Sequence, residues 1–364
     1  MLSEQLQGYL HRLAQVAAQP PNRWDGFDLS APDAPATSLR DQIFFAGLAA
    51  TALALHPNAD ALQREQARSA VYALVERLLQ RRVWAAWANA TERAGLLPDP
   101  ISAGGGAYAG RLAMLLGCAA LVQGAPLYNV DPFVLRWSST ARYGTTYSEL
   151  VTGLSRLVAG HPDGAVASAG DATQPHDMAH ILWALQLHDH VCGSDFAPLG
   201  ERWLATLRNK LAQSGPQLLN PGALRSHYHL ERRRAPRGND PLVDSWALAL
   251  TAPFDPPAVA QLAERFTVTL PRLQMRKQVL PIAFAYLLGV QLDAPELAES
   301  ARTWLTTNAP LPDDTPSADP VIPAGAWLHA VIMLGDAGGL RLPPAHGLLA
   351  EAPAAPPVPA EELP

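Results

Sequence analysis

The chain has 364 residues, 48% of them hydrophobic, and a formal net charge of -6. That length exceeds the usual single core, although all-helical toroids and barrels of this size form one domain. The densest basic run, "RSHYHLERRRAPR" at Arg225 to Arg237, reads as a solvated loop, so nucleic acid is not an expected partner. Cys118 and Cys192 are too few for a disulfide framework. With no apolar h-region at the N-terminus and no charge-free segment of spanning length, the sequence predicts a soluble, cytoplasmic protein with no membrane span.

Alanine and leucine dominate, and the 34 prolines and 26 glycines fall mostly between apolar segments. That pattern predicts many short helices with abrupt connections. Period and punctuation put them near 2–17, 38–56, 59–81, 107–123, 146–159, 176–192, 197–213, 242–252, 256–268, 275–292, 294–307 and 321–336. Only 217–230 has room for a short hairpin, and 351–364 is a Pro/Ala-rich tail expected to be disordered.

The helices alternate in character. The first, third and later odd ones are amphipathic, as in "ALQREQARSAVYALVERLLQRR" and "PELAESARTWLTT", whereas the even ones, such as "QIFFAGLAATALAL", "RLAMLLGCAALV" and "VLPIAFAYLLGV", are apolar nearly all round. A helix apolar on every side must be buried on every side. Six inner apolar helices wrapped by six outer ones predict an all-α (α/α)6 barrel, one domain over residues 1–350. Its inner helices all point one way, so their first turns meet on one rim: Asp41, then Tyr108 and Arg111, then His176, Asp177 and His180, then Asp244. A rim of polar groups over an apolar tube is the usual form of a small-molecule site.

The order of these motifs resembles the linalool dehydratase/isomerase family. "SLRDQIFFAGLAA" is similar to its L-R-Y-Q-x-x-F helix, with Asp41 at the usual tyrosine, and "RRVWAAW" resembles its V-W-x-x-W, here Trp84 and Trp87. "AYAGR" is similar to M-Y-S-G-H, keeping Tyr108 and Gly110 and putting Arg111 at the histidine. "GAVASAGDATQPHDMAHILWALQLHDHVCGSDF" looks like the segment that begins G-x-x-C-E-P, with Ser168 and Asp177 at the places of two catalytic cysteines; "DSWALALTAPFDP" matches a late tryptophan segment loosely. The resemblance implies a barrel of six helix pairs, acid–base chemistry on a terpene alcohol, and homo-oligomers with sites near subunit contacts. Neither cysteine is retained, so linalool chemistry by the same residues is not expected.

Taken with the polar rim, the resemblance implies cofactor-independent acid–base chemistry on a small hydrophobic, isoprenoid or polyketide-derived substrate: protonation-initiated cyclisation, isomerisation, or addition and loss of water. Burial in an apolar tube keeps a carboxyl neutral. Asp177, at the place of a family cysteine, is the first candidate acid, with Asp41 as the second and as its partner base. Arg111 beside either would lower its pKa, or pair with one aspartate and leave another as the acid. Tyr108 and Arg111 would orient the polar end, with His176, His180 and Asp244 beside them. Phe45, Trp183, Trp246 and Phe284 would line the tube, where aromatic faces stabilise cations.

The spacing of His176 and His180 matches H-E-x-x-H, but a shorter Asp replaces the Glu and no third ligand is evident, so no metal is expected. "DDTPSAD" at Asp313 to Asp319 has the wrong spacing for a diphosphate-binding acid set, and "GGGAYAG" lacks the strand and lysine of a phosphate loop. Two alternatives remain, an inverting glycoside hydrolase-like toroid and a non-catalytic barrel binding an apolar ligand.

Overall fold

A computed structural model describes residues 2–27, 29, 35–85, 99–101, 105–138, 141–168, 170–214, 222–309 and 326–342. The protein is mostly helical. Helix α1 (Glu4–Ala18) starts on Ser3, whose side chain accepts from the Leu6 N–H, and is followed by α2 (Pro35–Ala54). Helix α3 (Ala61–Leu78) opens with a reciprocal capping box between Asp60 and Gln63. Helix α4 (Gly106–Gln123) ends at Gly124, whose φ of 74° suits glycine. After a one-turn helix α5 (Leu127–Val130), strands β1 (Phe133–Arg136) and β2 (Arg142–Thr145) form an antiparallel hairpin.

Helix α6 (Tyr147–Gly160) carries a second capping box, Thr146 with Glu149. Strand β3 (Ala172–Thr173) leads into α7 (Pro175–Cys192), which has proline at its first turn and Gly193 at φ 72° after its end. A 3-10 turn (Ala197–Gly200), α8 (Glu201–Thr206) and a π-turn (Leu207–Leu211) follow, so the single helix expected over 197–213 is broken. Strand β4 (Tyr228–His229) precedes α9 (Pro241–Thr251), α10 (Pro256–Thr267), α11 (Leu270–Met275), α12 (Val279–Gln291), α13 (Pro295–Asn308) and α14 (Ala326–Asp336).

The apolar helices pack in sequence: α2 on α4, α4 on α7, α7 on α9, α9 on α12, α12 on α14, and α14 back on α2. The amphipathic α3 packs on α2 and α4, α6 on α4 and α7, α10 on α9 and α13 on α12, each turning one apolar stripe inward. Helix α4 is long and apolar enough to cross a membrane, but 83% of its window is buried inside the fold. It is a core helix by that test. Arg77 is buried too, and donates to the Val16 and Gln19 carbonyls at 2.8 and 3.3 Å, which serves the end of α1.

Two expectations are corrected. The hairpin β1–β2 was not anticipated, because its strands are four residues each and only Phe133 and Leu135 of β1 alternate inward. The segment 217–230 does not close a hairpin on itself in its described part; Tyr228 and His229 pair with Thr173 and Ala172. The cause is distant: Asp163 accepts from Tyr228 Oη, from Lys210 Nζ at 2.8 Å and from Arg233 Nε and Nη2 at 2.9 and 3.0 Å, and so draws the strand across. The tail 351–364, Trp87 and the acids from Asp313 to Asp319 lie outside the described residues.

Gly289 marks the closest approach of α12 and α13: a Cβ there would stand 2.6 Å from the Ala298 nitrogen and 2.9 Å from its Cα. Helix propensity alone makes Gly→Ala favourable by about 1 kcal/mol, but backbone cannot step aside as a side chain can. Gly289→Ala is therefore expected to destabilise by about 1–3 kcal/mol, read as a lower urea midpoint with an unchanged m-value.

Candidate functional site

The N-terminal parts of α2, α4 and α7 bring their charged side chains together, as apolar helices must if those residues are to find partners away from water, and α9 adds Trp246. Arg111, 1% exposed, is the hub. Its Nε donates to Asp41 Oδ1 at 2.9 Å, and its Nη1 donates to Asp177 Oδ1 at 2.6 Å and to the Ala107 carbonyl at 2.8 Å. Arg40 adds a second cation, with Nε 3.7 Å from Asp41 Oδ1. Two cations thus face two carboxylates, a balance that makes burial tolerable.

The imidazoles sit around Asp177. His176 Nε2 lies 3.5 Å, and His180 Nδ1 4.0 Å, from Asp177 Oδ1. Trp246 donates its indole N–H to His180 Nε2 at 3.2 Å, which leaves the ring proton on Nδ1, facing the carboxylate. The Trp246 ring also stacks on His176 at 4.2 Å and lies under the Arg111 guanidinium at 5.0 Å. Beneath it Phe284 stacks at 5.2 Å, Phe45 meets Trp246 edge-on at 5.2 Å, and Trp327 closes the group at 5.3 Å.

Burial drives the protonation states apart. It pushes His176 down to about 4, with Asp177 opposing and Arg111 assisting, and it lowers His180 further, again with help from Arg111. Both rings are neutral near pH 7. Burial alone would raise Asp177, but His176, Arg111 and His180 outweigh it and hold its carboxyl well below the ordinary range. Asp177 is therefore an ionised acceptor rather than the neutral acid expected from burial, because His176 and Arg111 beside it together reverse the sign. The Nδ1 atoms of both His176 and His180 are buried without a hydrogen-bond partner among the described residues.

Asp41, Arg111, His176, Asp177, His180, Trp246, Phe45 and Phe284 thus form one cluster, and three other expected residues do not join it. Tyr108 is buried with its hydroxyl donating to the Leu78 carbonyl at 3.0 Å, so its ring turns toward the end of α3. Asp244 accepts the Ala223 and Leu224 N–H groups at 2.8 and 3.2 Å and pins the turn after Gly222; desolvation pushes its pKa up to about 7 against those two bonds. Trp183 lies farther along α7, donates to the Leu250 carbonyl at 2.8 Å and packs on Phe254. There it lines a separate cavity of about 680 Å³ with Leu182, Leu204 and Arg341, near the other ends of the apolar helices.

Arg40 was not among the expected site residues. Its sequence signal is the Arg40-Asp41 pair at the head of an apolar helix. The chain matches no protein-family model and no curated protein.

Proposed function

We propose that the chain is an (α/α)6 barrel of the linalool dehydratase/isomerase type, and that its buried cluster carries out cofactor-independent proton transfer on a small hydrophobic substrate. The circuit of apolar helices from α2 through α14 and back supports the barrel reading. One observation carries the site: two neutral imidazoles flank one ionised carboxylate, each with a buried Nδ1 that has no partner among the described residues. Burial without a partner is costly, on the order of 1–3 kcal/mol per group, and is retained where a ligand supplies the missing bond.

The protonation states favour proton abstraction before protonation. Neutral His176 removes a proton from carbon next to an alkene or hydroxyl, and Asp177 stabilises the imidazolium that results. Returning that proton to another carbon isomerises the substrate; delivering it to the departing hydroxyl releases water. Trp246, stacked on His176, gives the developing charge an aromatic face, worth about 0.5–2 kcal/mol. The aromatic contacts among Phe45, Trp246, Phe284 and Trp327 favour a second reading, a non-catalytic barrel packed through its axis.

Incubation with a panel of C10 and C15 allylic alcohols and their dienes in D2O separates the two. Proton transfer predicts deuterium in recovered substrate or product by mass spectrometry, reduced about 100-fold or more in His176→Gln. No deuterium with any member of the panel, or uptake that survives His176→Gln unchanged, overturns the catalytic reading.

A further inference from the structure

We propose that Ser148 and His188, oriented by Ser194 and Asp189, form a second, nucleophilic site that takes small acyl esters. The site lies at the opposite end of α7 from the cluster above, where the helix end meets the head of α6. His188 stands eleven residues beyond Asp177 on α7, which is about 16 Å along the axis. The proposal does not depend on the function proposed for that cluster.

The hydrogen bonds run in one direction. Asp189 accepts the Phe196 and Ala197 N–H groups at 2.8 and 2.7 Å, so it acts as an acceptor throughout, and Ser194 Oγ donates its only proton to Asp189 Oδ1. Ser194 Oγ can therefore only accept from His188 Nδ1, 2.6 Å away. A neutral imidazole with its proton on Nδ1 has a lone pair on Nε2. That lone pair faces Ser148 Oγ at 3.0 Å, so the Ser148 hydroxyl donates to it. Carboxylate, hydroxyl, imidazole and hydroxyl are thus aligned as a base and nucleophile require.

The surroundings fit the role. His188 is buried, stacks on Phe196 at 5.4 Å, and is held neutral by desolvation, so it is a base near pH 7. The backbone N–H of Ser148 is fixed by Asn129 Oδ1 at 2.8 Å, and the Asn129 amide nitrogen, 3.8 Å from Cys192 Sγ, is the donor beside it for a developing oxyanion. Leu127 and Val130, 42% and 80% exposed, share the one-turn helix α5 with Asn129 and give a short acyl chain an apolar edge. Cys192 is a weaker candidate nucleophile, because burial raises its thiol above the ordinary value and only the thiolate attacks.

In the reaction Ser148 Oγ bonds to the acyl carbon while its proton passes to His188 Nε2. The C–O bond to the alcohol then breaks, and the alkoxide leaves with that proton. Water attacks the acyl-serine through the same base, which releases the carboxylic acid and returns the proton to Ser148. An alkyl fluorophosphonate probes the first half: an O–P bond forms, fluoride leaves, and no second step follows.

The expected result is one phosphonyl adduct on the tryptic peptide containing Ser148, with p-nitrophenyl butyrate hydrolysis lost in step. Ser148→Ala abolishes both, His188→Gln slows labelling about 100-fold or more, and Cys192→Ala leaves it intact. Ser194 is a positioning residue: Ser194→Ala slows labelling, and Ser194→Thr, which keeps the hydroxyl, restores it. Labelling absent from the folded wild-type protein, labelling located on Cys192, or a rate unchanged in His188→Gln overturns the proposal.

Discussion

Replacing Arg111 with methionine lowers the unfolding free energy by about 3–5 kcal/mol near pH 7, the range expected when a buried ion pair loses one partner. Methionine fills a similar space, so the loss reflects charge rather than a cavity. Asp41 and Asp177 both lose their hydrogen-bonded cation while remaining 2% and 3% exposed. The pH dependence separates this cause from simple misfit. In the wild-type protein the folded pKa of Asp177 lies below its ordinary 3.8, so its stabilisation is present above that value and is lost as pH falls. In the variant the guanidinium's share of that lowering is gone and the Asp177 carboxyl shifts upward, so acidification relieves part of the penalty. The gap between the two proteins, measured by urea unfolding, is expected to narrow steadily from pH 7 to pH 4. A loss below about 1 kcal/mol at pH 7, or a gap independent of pH, defeats the account of Arg111 as the neutralising hub.

The alternation of amphipathic and fully apolar helices was legible because burial on every side leaves a compositional trace that no partner has to supply. The apolar run from Gly106 to Gln123 and its one internal arginine identified α4 and the position of the hub together. That Arg111 could pair with one aspartate was legible; that it holds two at once was not. Asp41 is seventy residues away and Asp177 sixty-six, and helical period says only that all three sit near helix starts.

Side-chain direction within a turn was the other gap. Tyr108 and Arg111 are three apart on one helix, yet Tyr108 reaches outward to Leu78 while Arg111 reaches across to α2 and α7. Trp183, six residues past Asp177, has travelled too far along α7 to share its end of the fold. His188 carries no signal of its own in the sequence, since nothing local announces that Ser148, forty residues earlier, meets its ring.

Acid unfolding is expected to begin before the exposed carboxylates titrate, driven by buried histidines. His176 and His329 are both pushed down to about 4, His329 by burial against Tyr9 with Arg12 assisting, and His180 lies well below the ordinary 6.5. A histidine depressed in the fold contributes stability in full above pH 6.5 and loses it as pH falls toward the folded value, because the unfolded chain takes the proton first.

Asp244 works the other way. Raised to about 7 from 3.8, it is protonated in the fold and ionised in the unfolded chain between those values, so its burial penalty shrinks as pH falls. Near pH 5 the most strongly shifted groups, His176, His180 and His329, each gain a proton on unfolding and Asp244 releases one. These four contribute a net uptake of about two protons and a slope of about 2.7 kcal/mol per pH unit, to which the lowered His56 and His188 add and from which the raised Asp336 subtracts. His329→Gln, remote from the Arg111 cluster, should flatten that slope by about 1.4 kcal/mol per pH unit, and Asp244→Asn should steepen it by the same amount. Stability that stays level between pH 6.5 and 4.5, or an Asp244→Asn slope equal to that of the wild type, would mean that these side chains reach water in the folded protein and that the polar ends of the apolar helices are open.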